Sequence, residues 1–221
     1  VTWGLPSGTR SEALDYEVLQ LLKQAGCNDL DYAPESGSDF ILKVIKKKIN
    51  KEKMLESIKN CYRGGINSKA NIIFGFPEEN RLHILETYWF IIRMAWAGVN
   101  DVQVGNFSTY PGSEIFEKLR QQGKISLDED YFEDLAAHGS LDVMSCHSDH
   151  YSKIELQFFK LGGFALFYSC LVMILVLGEQ NCHSTILLKQ KSTLKMRRGE
   201  GALCGAFQGV HKSFKNHSES N

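Results

Sequence analysis

Leu30-Asp31-Tyr32-Ala33-Pro34-Glu35-Ser36-Gly37-Ser38 reads as a strand running into a polar, glycine-opened turn. Ala70-Asn71-Ile72-Ile73-Phe74-Gly75-Phe76-Pro77-Glu78 repeats the arrangement further along the chain. Each turn offers a carboxylate and a glycine backbone at the carboxyl end of a strand, which is where α/β proteins place their ligands.

Strand and helix signals alternate around these two stretches. A strand-like run, Val1 to Leu5, precedes a helix whose apolar positions Leu14, Val18, Leu21, Leu22 and Ala25 follow the helical period up to Gly26. A short helix is expected from Asp39 to Lys47. Another places Met54, Leu55, Ile58, Cys61 and Tyr62 on one face and ends at Gly64-Gly65. A long helix over Arg81 to Ala97, a strand over Val102 to Phe107 and a helix over Ser113 to Gln122 complete four βα units. Strands each followed by a covering helix require parallel pairing with right-handed crossovers. The fold class is therefore α/β, its sheet either doubly wound or a barrel segment. Trp3, Trp89 and Trp96 are expected in the core. Val1 starts directly in a strand with no polar lead-in, and this reading expects further elements before it.

The chain of 221 residues, 43% hydrophobic and 23% charged, has room for one ordinary domain and an appendage. A net charge of −1 supplies no basic stripe, so no nucleic-acid partner is expected. Charge is nevertheless uneven: residues 126–160 hold eight acids and two bases, and 178–221 hold seven bases and three acids. Three segments are expected: 1–125 as the α/β core, 126–177 as a helical extension, and 178–221 as a basic tail without helical periodicity. Within the extension, 161–177 is free of charged side chains. That is the lower limit for crossing a bilayer, and membrane association without spanning is the expected use of the segment.

The six cysteines, Cys27, Cys61, Cys146, Cys170, Cys182 and Cys204, show no CxxC or CxxxC spacing. Reduced thiols and a cytoplasmic setting are expected. His147 and His150 make an H-x-x-H, but without the intervening glutamate and helical context of a zinc site, so an exposed polar linker is the reading adopted. No G-x-x-x-x-G-K-[ST] or G-x-G-x-x-G turn follows a strand, which removes support for a phosphate-binding α/β protein.

Four turns in order, Gly8-Thr9-Arg10, Ala33-Pro34-Glu35-Ser36-Gly37-Ser38, Ile73-Phe74-Gly75-Phe76-Pro77-Glu78 and Tyr110-Pro111-Gly112-Ser113-Glu114, give residues 1–132 a further meaning. This stretch resembles the radical S-adenosylmethionine enzymes, and within them the branch that often carries a cobalamin-binding domain before the radical core. The resemblance implies a parallel-stranded partial (β/α) barrel, about four βα units of a six-unit TIM-like barrel, followed by a C-terminal helical extension. In that family a CxxxCxxC loop binds a [4Fe-4S] cluster, and reductive cleavage of S-adenosylmethionine yields a 5′-deoxyadenosyl radical that takes hydrogen from a small-molecule substrate. Methyl transfer and oxidative cyclisation are reactions of such relatives, and the resemblance leaves open whether cobalamin is used. This chain has no CxxxCxxC, so the cluster-binding half is expected upstream of Val1 and the chain alone is expected to be inactive.

Site residues follow from the resemblance position by position. Glu35 would accept hydrogen bonds from the ribose hydroxyls, with Ser36 and Ser38 adding a polar contact or simply capping the next helix. Asn71 stands where the family's turn has glycine. Ile73 would pack on adenine, Gly75 would let the backbone approach the base, and Glu78 would hold the loop by accepting backbone N–H groups. Arg10 would meet a carboxylate of the cofactor or substrate, and Tyr110 and Ser113 would face substrate. The alternative reading is an inactive remnant that acts as a membrane-associated binding module through 161–177.

Overall fold

The computed structural model describes residues 1–6, 14–136 and 145–180. Its described residues divide into two compact units, Val1–Met173 and the residues from Ile174 onward. In the first unit, β1 (Trp3–Leu5), β2 (Cys27–Glu35), β3 (Asn67–Phe74) and β4 (Asp101–Asn106) form one sheet in the order β1-β2-β3-β4. Every neighbouring pair is parallel. The crossovers carry α1 (Tyr16–Gln24), α2 (Asp39–Val44) with α3 (Lys51–Gly64), and α4 (Arg81–Ala97). Strands that add in sequence order, without the reversal a doubly wound sheet needs, are the winding of a barrel segment.

Alternation along the strands separates two faces. Leu30 and Tyr32 of β2, Ala70, Ile72 and Phe74 of β3, and Val102 and Val104 of β4 are buried. Tyr32 reaches Ser57 and Cys61 of α3 through its hydroxyl, and Phe74 sits edge-on to Tyr88 of α4, so this is the helix-covered face. The residues between them are not buried: Asp31 and Ala33 on β2, Lys69, Asn71 and Ile73 on β3, Asp101 and Gln103 on β4. The register sets Asp31 beside Lys69 and Lys69 beside Asp101, a row of alternating charge across the open face.

The helices end as their sequences dictate. Asn50 caps α3 by accepting the Lys53 N–H, and α3 stops at Gly65 with φ +76. Asn80 and His83 form a reciprocal capping box at the start of α4. Gly98, φ +101, closes α4 against the Tyr62 ring, where a Cβ would lie 2.7 Å from Cγ. On α3, Met54, Leu55, Ile58 and Cys61 are buried as expected.

Two expectations fail on the helices. Leu19 is the buried residue of α1, whereas Leu21 of the expected face is 64% exposed, because the short β1 leaves little sheet for this helix to cover. Trp89 and Trp96 are 62% and 55% exposed, and Trp3 is also at the surface. Ile84, Phe90, Ile91 and Met94 already fill the sheet side of α4, so an apolar residue elsewhere on that helix falls outside the core.

After β4 come α5 (Glu114–Gln121), α6 (Glu129–Ala136) and α7 (Lys153–Gln180). α7 lies on the helix-covered face: a Cβ on Gly163 would touch Phe74, Val104 and Ile91, and Tyr88 donates its hydroxyl to Phe159 O at 2.7 Å. Lys153–Leu177 is long and apolar enough to cross a membrane by length and composition. The described part of the second unit is the end of α7, and the tail beyond Gln180 lies outside the described residues.

Candidate functional site

Glu35 ends β2 in a conformation that disfavours its own side chain. Its φ is +66, and Ser36 N–H bonds Pro34 O across it at 2.8 Å, a γ-turn of the strained hand. Strain of this kind costs on the order of 1–3 kcal/mol and is found where surroundings hold a functional group in place. The surroundings here are specific. Lys47 Nζ stands 2.9 Å from Glu35 Oε1, and a register shift between Tyr32 and Glu35 brings Glu35 opposite Ile72. Glu35 therefore stands opposite Ile72, the residue between Asn71 and Ile73, at the carboxyl end of the sheet.

The rest of that turn is a lock onto α4. Ser36 Oγ and Gly37 N–H each lie 3.1 Å from Thr87 Oγ1, which donates to His83 O. A Cβ on Gly37 would meet α4 backbone at 2.6 Å from Thr87 Cα, so only glycine fits. Ser36 and Ser38 are fully buried. Ser36 Oγ accepts the Ser38 N–H, and Ser38 stands at the N-cap of α2 without a side-chain cap bond. Both serines thus belong to the packing of the turn rather than to an open polar surface.

On β3, Asn71 Oδ1 is buried with no hydrogen-bond partner among the described residues. A buried acceptor left empty costs about 1–3 kcal/mol, which marks a place where a ligand N–H or O–H could bind. Ile73 is half-buried on the open face next to it. Gly75, φ +101, turns toward α7: a Cβ there would lie 3.0 Å from Leu156 Cδ2, so the approach expected for a base is taken on that side by Leu156.

The loop-holding carboxylate is Glu79, not Glu78. Glu79 is fully buried, and its Oε2 accepts the Gly75 N–H at 2.7 Å and the Tyr151 hydroxyl at 2.7 Å. Glu78 turns outward to Lys118, 2.6 Å away. One residue of offset decides this, because the turn through Phe76 and Pro77 is closed by Glu79 N–H on Phe76 O at 2.9 Å. Burial pushes the Glu79 carboxyl up to about 7, opposed by hydrogen bonds from the Gly75 backbone, the Tyr151 hydroxyl and the Phe76 backbone. Burial also pushes the Tyr151 hydroxyl well up, and the neighbouring Glu79 charge adds to it.

Arg10 lies outside the described residues. Tyr110 is exposed, and Ser113 caps α5 by accepting the Phe116 N–H. Of the expected residues, Glu35, Asn71 and Ile73 lie on neighbouring strands, with Glu35 in register with Ile72. Glu79 and Tyr151 were missed: the first by a count of one in a Glu-Glu pair, the second because an acidic linker carries no signal for a tyrosine that folds back onto a turn.

These three residues offer a carboxylate, an amide acceptor without a partner among the described residues, and a branched aliphatic side chain. Among the described residues the thiols do not gather as a cluster needs. Cys27 faces Asp29 O, Cys61 faces Tyr32, and Cys146 faces Tyr151 O. Among the described residues no three of His, Cys, Asp or Glu gather where a metal could bind.

The model of the Radical SAM superfamily matches residues 5–91, which includes both turns. An uncharacterized methyltransferase of Pyrococcus horikoshii is 25% identical over 120 residues, 53% of this chain and 24% of its own. A protein of Methanocaldococcus jannaschii named as a methylthiotransferase is 34% identical over 115 residues, 52% of this chain and 25% of its own. The anaerobic magnesium-protoporphyrin IX monomethyl ester cyclase of Cereibacter sphaeroides is 27% identical over 128 residues, 57% of this chain and 20% of its own. The chain thus spans a quarter or less of the length of these curated relatives.

Proposed function

We propose that this chain, whose residues 5–91 match the model of the Radical SAM superfamily, forms the ribose and adenine side of an S-adenosylmethionine site. The observation that carries the reading is Glu35, held in a strained left-handed turn opposite Ile72, next in sequence to Asn71 with its open acceptor. In this reading the Glu35 carboxylate accepts the two ribose hydroxyls, and Lys47 fixes the orientation of the carboxylate. Asn71 Oδ1 takes a donor of the nucleoside, and Ile73 supplies the apolar surface for the base. Gly75, with Leu156 behind it, contributes backbone only, and Glu79 holds the turn in shape.

The superfamily implies a [4Fe-4S] cluster as well as S-adenosylmethionine. The described cysteines do not fit the cluster and the sequence has no CxxxCxxC, so no radical step is assigned to these residues. The whole protein's reaction is proposed as radical chemistry on a small molecule, of the methyl-transfer or oxidative-cyclisation kind suggested by the names of its relatives.

Isothermal titration of the chain with S-adenosylmethionine tests the cofactor reading. Two charge-assisted bonds at about 1.5–3 kcal/mol each predict saturable binding that Glu35→Gln weakens by about tenfold or more. Equal affinity in the two proteins, or no saturable binding to the wild type, would refute it.

A further inference from the structure

α4 and α7 run side by side on the helix-covered face of the sheet. Arg81 pairs with Glu155 at 2.5 Å near the starts of both, Tyr88 donates its hydroxyl to Phe159 O at 2.7 Å, and a Cβ on Gly162 would lie 2.6 Å from that hydroxyl. Each helix turns one side to the sheet: Ile91 and Met94 of α4 are buried, and Gly163 of α7 comes up against Phe74 and Val104. The opposite side of each carries an apolar seam. Along α7, Ile154, Phe158, Leu161, Ala165, Tyr168 and Val172 recur four and three residues apart and are all exposed, Phe158 by 68%. Along α4, Leu82, Leu85, Trp89, Ile92 and Trp96 recur three and four residues apart, Leu82 exposed by 69% and Ile92 alone half-buried. A seven-residue apolar repeat of this kind seats the side chains of a facing helix, whereas a lipid surface has no side chains to seat.

We propose that this face is a homodimer interface, the two seams of one copy packing against the two seams of a second copy. The partner that such a pair of seams fits is another pair of helices with the same repeat, and a second copy of this chain supplies one. The area suffices: the exposed parts of these side chains amount to on the order of 1,000 Å², against about 300–600 Å² for the largest apolar patch of an ordinary monomer and about 800 Å² given by each partner to a standard interface. Contact about a two-fold axis needs hollows as well as projections on the one surface. Here Trp89 and Trp96 wall a groove of about 380 Å³ that Leu55 and Ile92 also line, while Phe158 and Leu82 stand well exposed. The charges beside the face favour a copy over an anionic partner. Arg93 pairs with Glu52 at 2.6 Å, Lys59 with Glu56 at 3.7 Å, and Arg81 with Glu155. An acidic protein or an anionic lipid would have to displace these carboxylates, whereas a second copy brings cations and acids already matched.

Sedimentation equilibrium of the full chain over a dilution series tests the proposal. A reversible monomer–dimer equilibrium is expected, with tryptophan emission moving to shorter wavelength as the dimer forms, because Trp89 and Trp96 leave water. Leu85→Ser with Trp89→Ser breaks the α4 seam, and Phe158→Ser with Leu161→Ser breaks the α7 seam. All four positions are exposed, so each pair should keep the circular dichroism and melting curve of the parent while weakening the dimer by about tenfold or more. Phe132→Ser, at an exposed aromatic of α6 outside the face, should leave the dimer unchanged. Four outcomes overturn the proposal: a monomer at every concentration, a dimer that neither serine pair weakens, open-ended association in place of a dimer, or a monomeric chain that uses these seams to bind phosphatidylcholine vesicles, which would make lipid the occupant. None of these measurements involves S-adenosylmethionine, so failure here leaves the Glu35 reading standing.

Discussion

Tyr151 Oη lies 2.7 Å from Glu79 Oε2, the same oxygen that receives the Gly75 N–H. A residue that follows the sheet by some way in sequence thereby fastens the turn at the carboxyl end of β3. The fastening is reinforced on both sides: Ser148 Oγ donates to Glu79 O at 2.8 Å, and Arg81 bonds His150 O at 2.9 Å. The shape of the candidate cofactor turn is therefore set from outside the βα units.

Tyr151→Phe tests that coupling with little change in packing volume. It leaves Glu79 with one donor fewer in a buried place, and a stability loss of about 1–3 kcal/mol is expected in urea unfolding. If the midpoint does not move, the bond contributes nothing to holding the turn.

The Glu79 carboxyl makes stability depend on pH in a definite direction. Its folded value of about 7 lies above the ordinary 4.5, so the folded chain holds the proton more tightly than the unfolded one. This contribution is complete below about 4.5, declines as pH rises, and is gone above about 7, a change on the order of 3 kcal/mol. Glu79→Gln keeps an acceptor for Gly75 and Tyr151 but cannot titrate. Melting temperatures taken across that window should fall with pH in the parent, and the variant should lack this component of the slope.

Much of this architecture is legible in the sequence because it rests on periodicity and punctuation. The four strands, the glycine stops at Gly65 and Gly98, and the buried face of α3 follow from residue patterns alone. Outcomes set by competition for a limited surface were not legible. α4 is apolar on more than one side, and only the sheet decides that Phe90 and Met94 enter the core while Trp89 and Trp96 stay out. At the site, the family resemblance pointed to Glu35, Asn71 and Ile73, but the strained backbone of Glu35 and the choice of Glu79 over Glu78 depend on turn geometry that no motif spacing encodes.

Gly37 should tolerate no side chain. A Cβ at 2.6 Å from Thr87 Cα and 2.7 Å from Glu86 O meets backbone that cannot move without displacing α4. Gly37→Ala is expected to cost about 3 kcal/mol or more. Thr87→Val should cost about 2–3 kcal/mol by leaving the Gly37 N–H without its acceptor. Thermal unfolding of both variants checks the lock, and wild-type stability in either would show that α4 yields at this point.

Glu35 separates stability from binding. A carboxylate there accepts a left-handed φ of +66 that glycine adopts freely, so Glu35→Gly relieves strain of about 1 kcal/mol while giving up a partly exposed pair with Lys47 worth no more than about 1 kcal/mol. The variant should therefore melt within a few degrees of the parent, or slightly above it, and yet bind S-adenosylmethionine about tenfold or more weaker. A residue present only for folding would behave in the opposite way, with stability falling and affinity untouched. Measuring both quantities on the one protein decides which account of the strained turn holds, because strain without a ligand-binding return has no physical reason to persist at the end of β2.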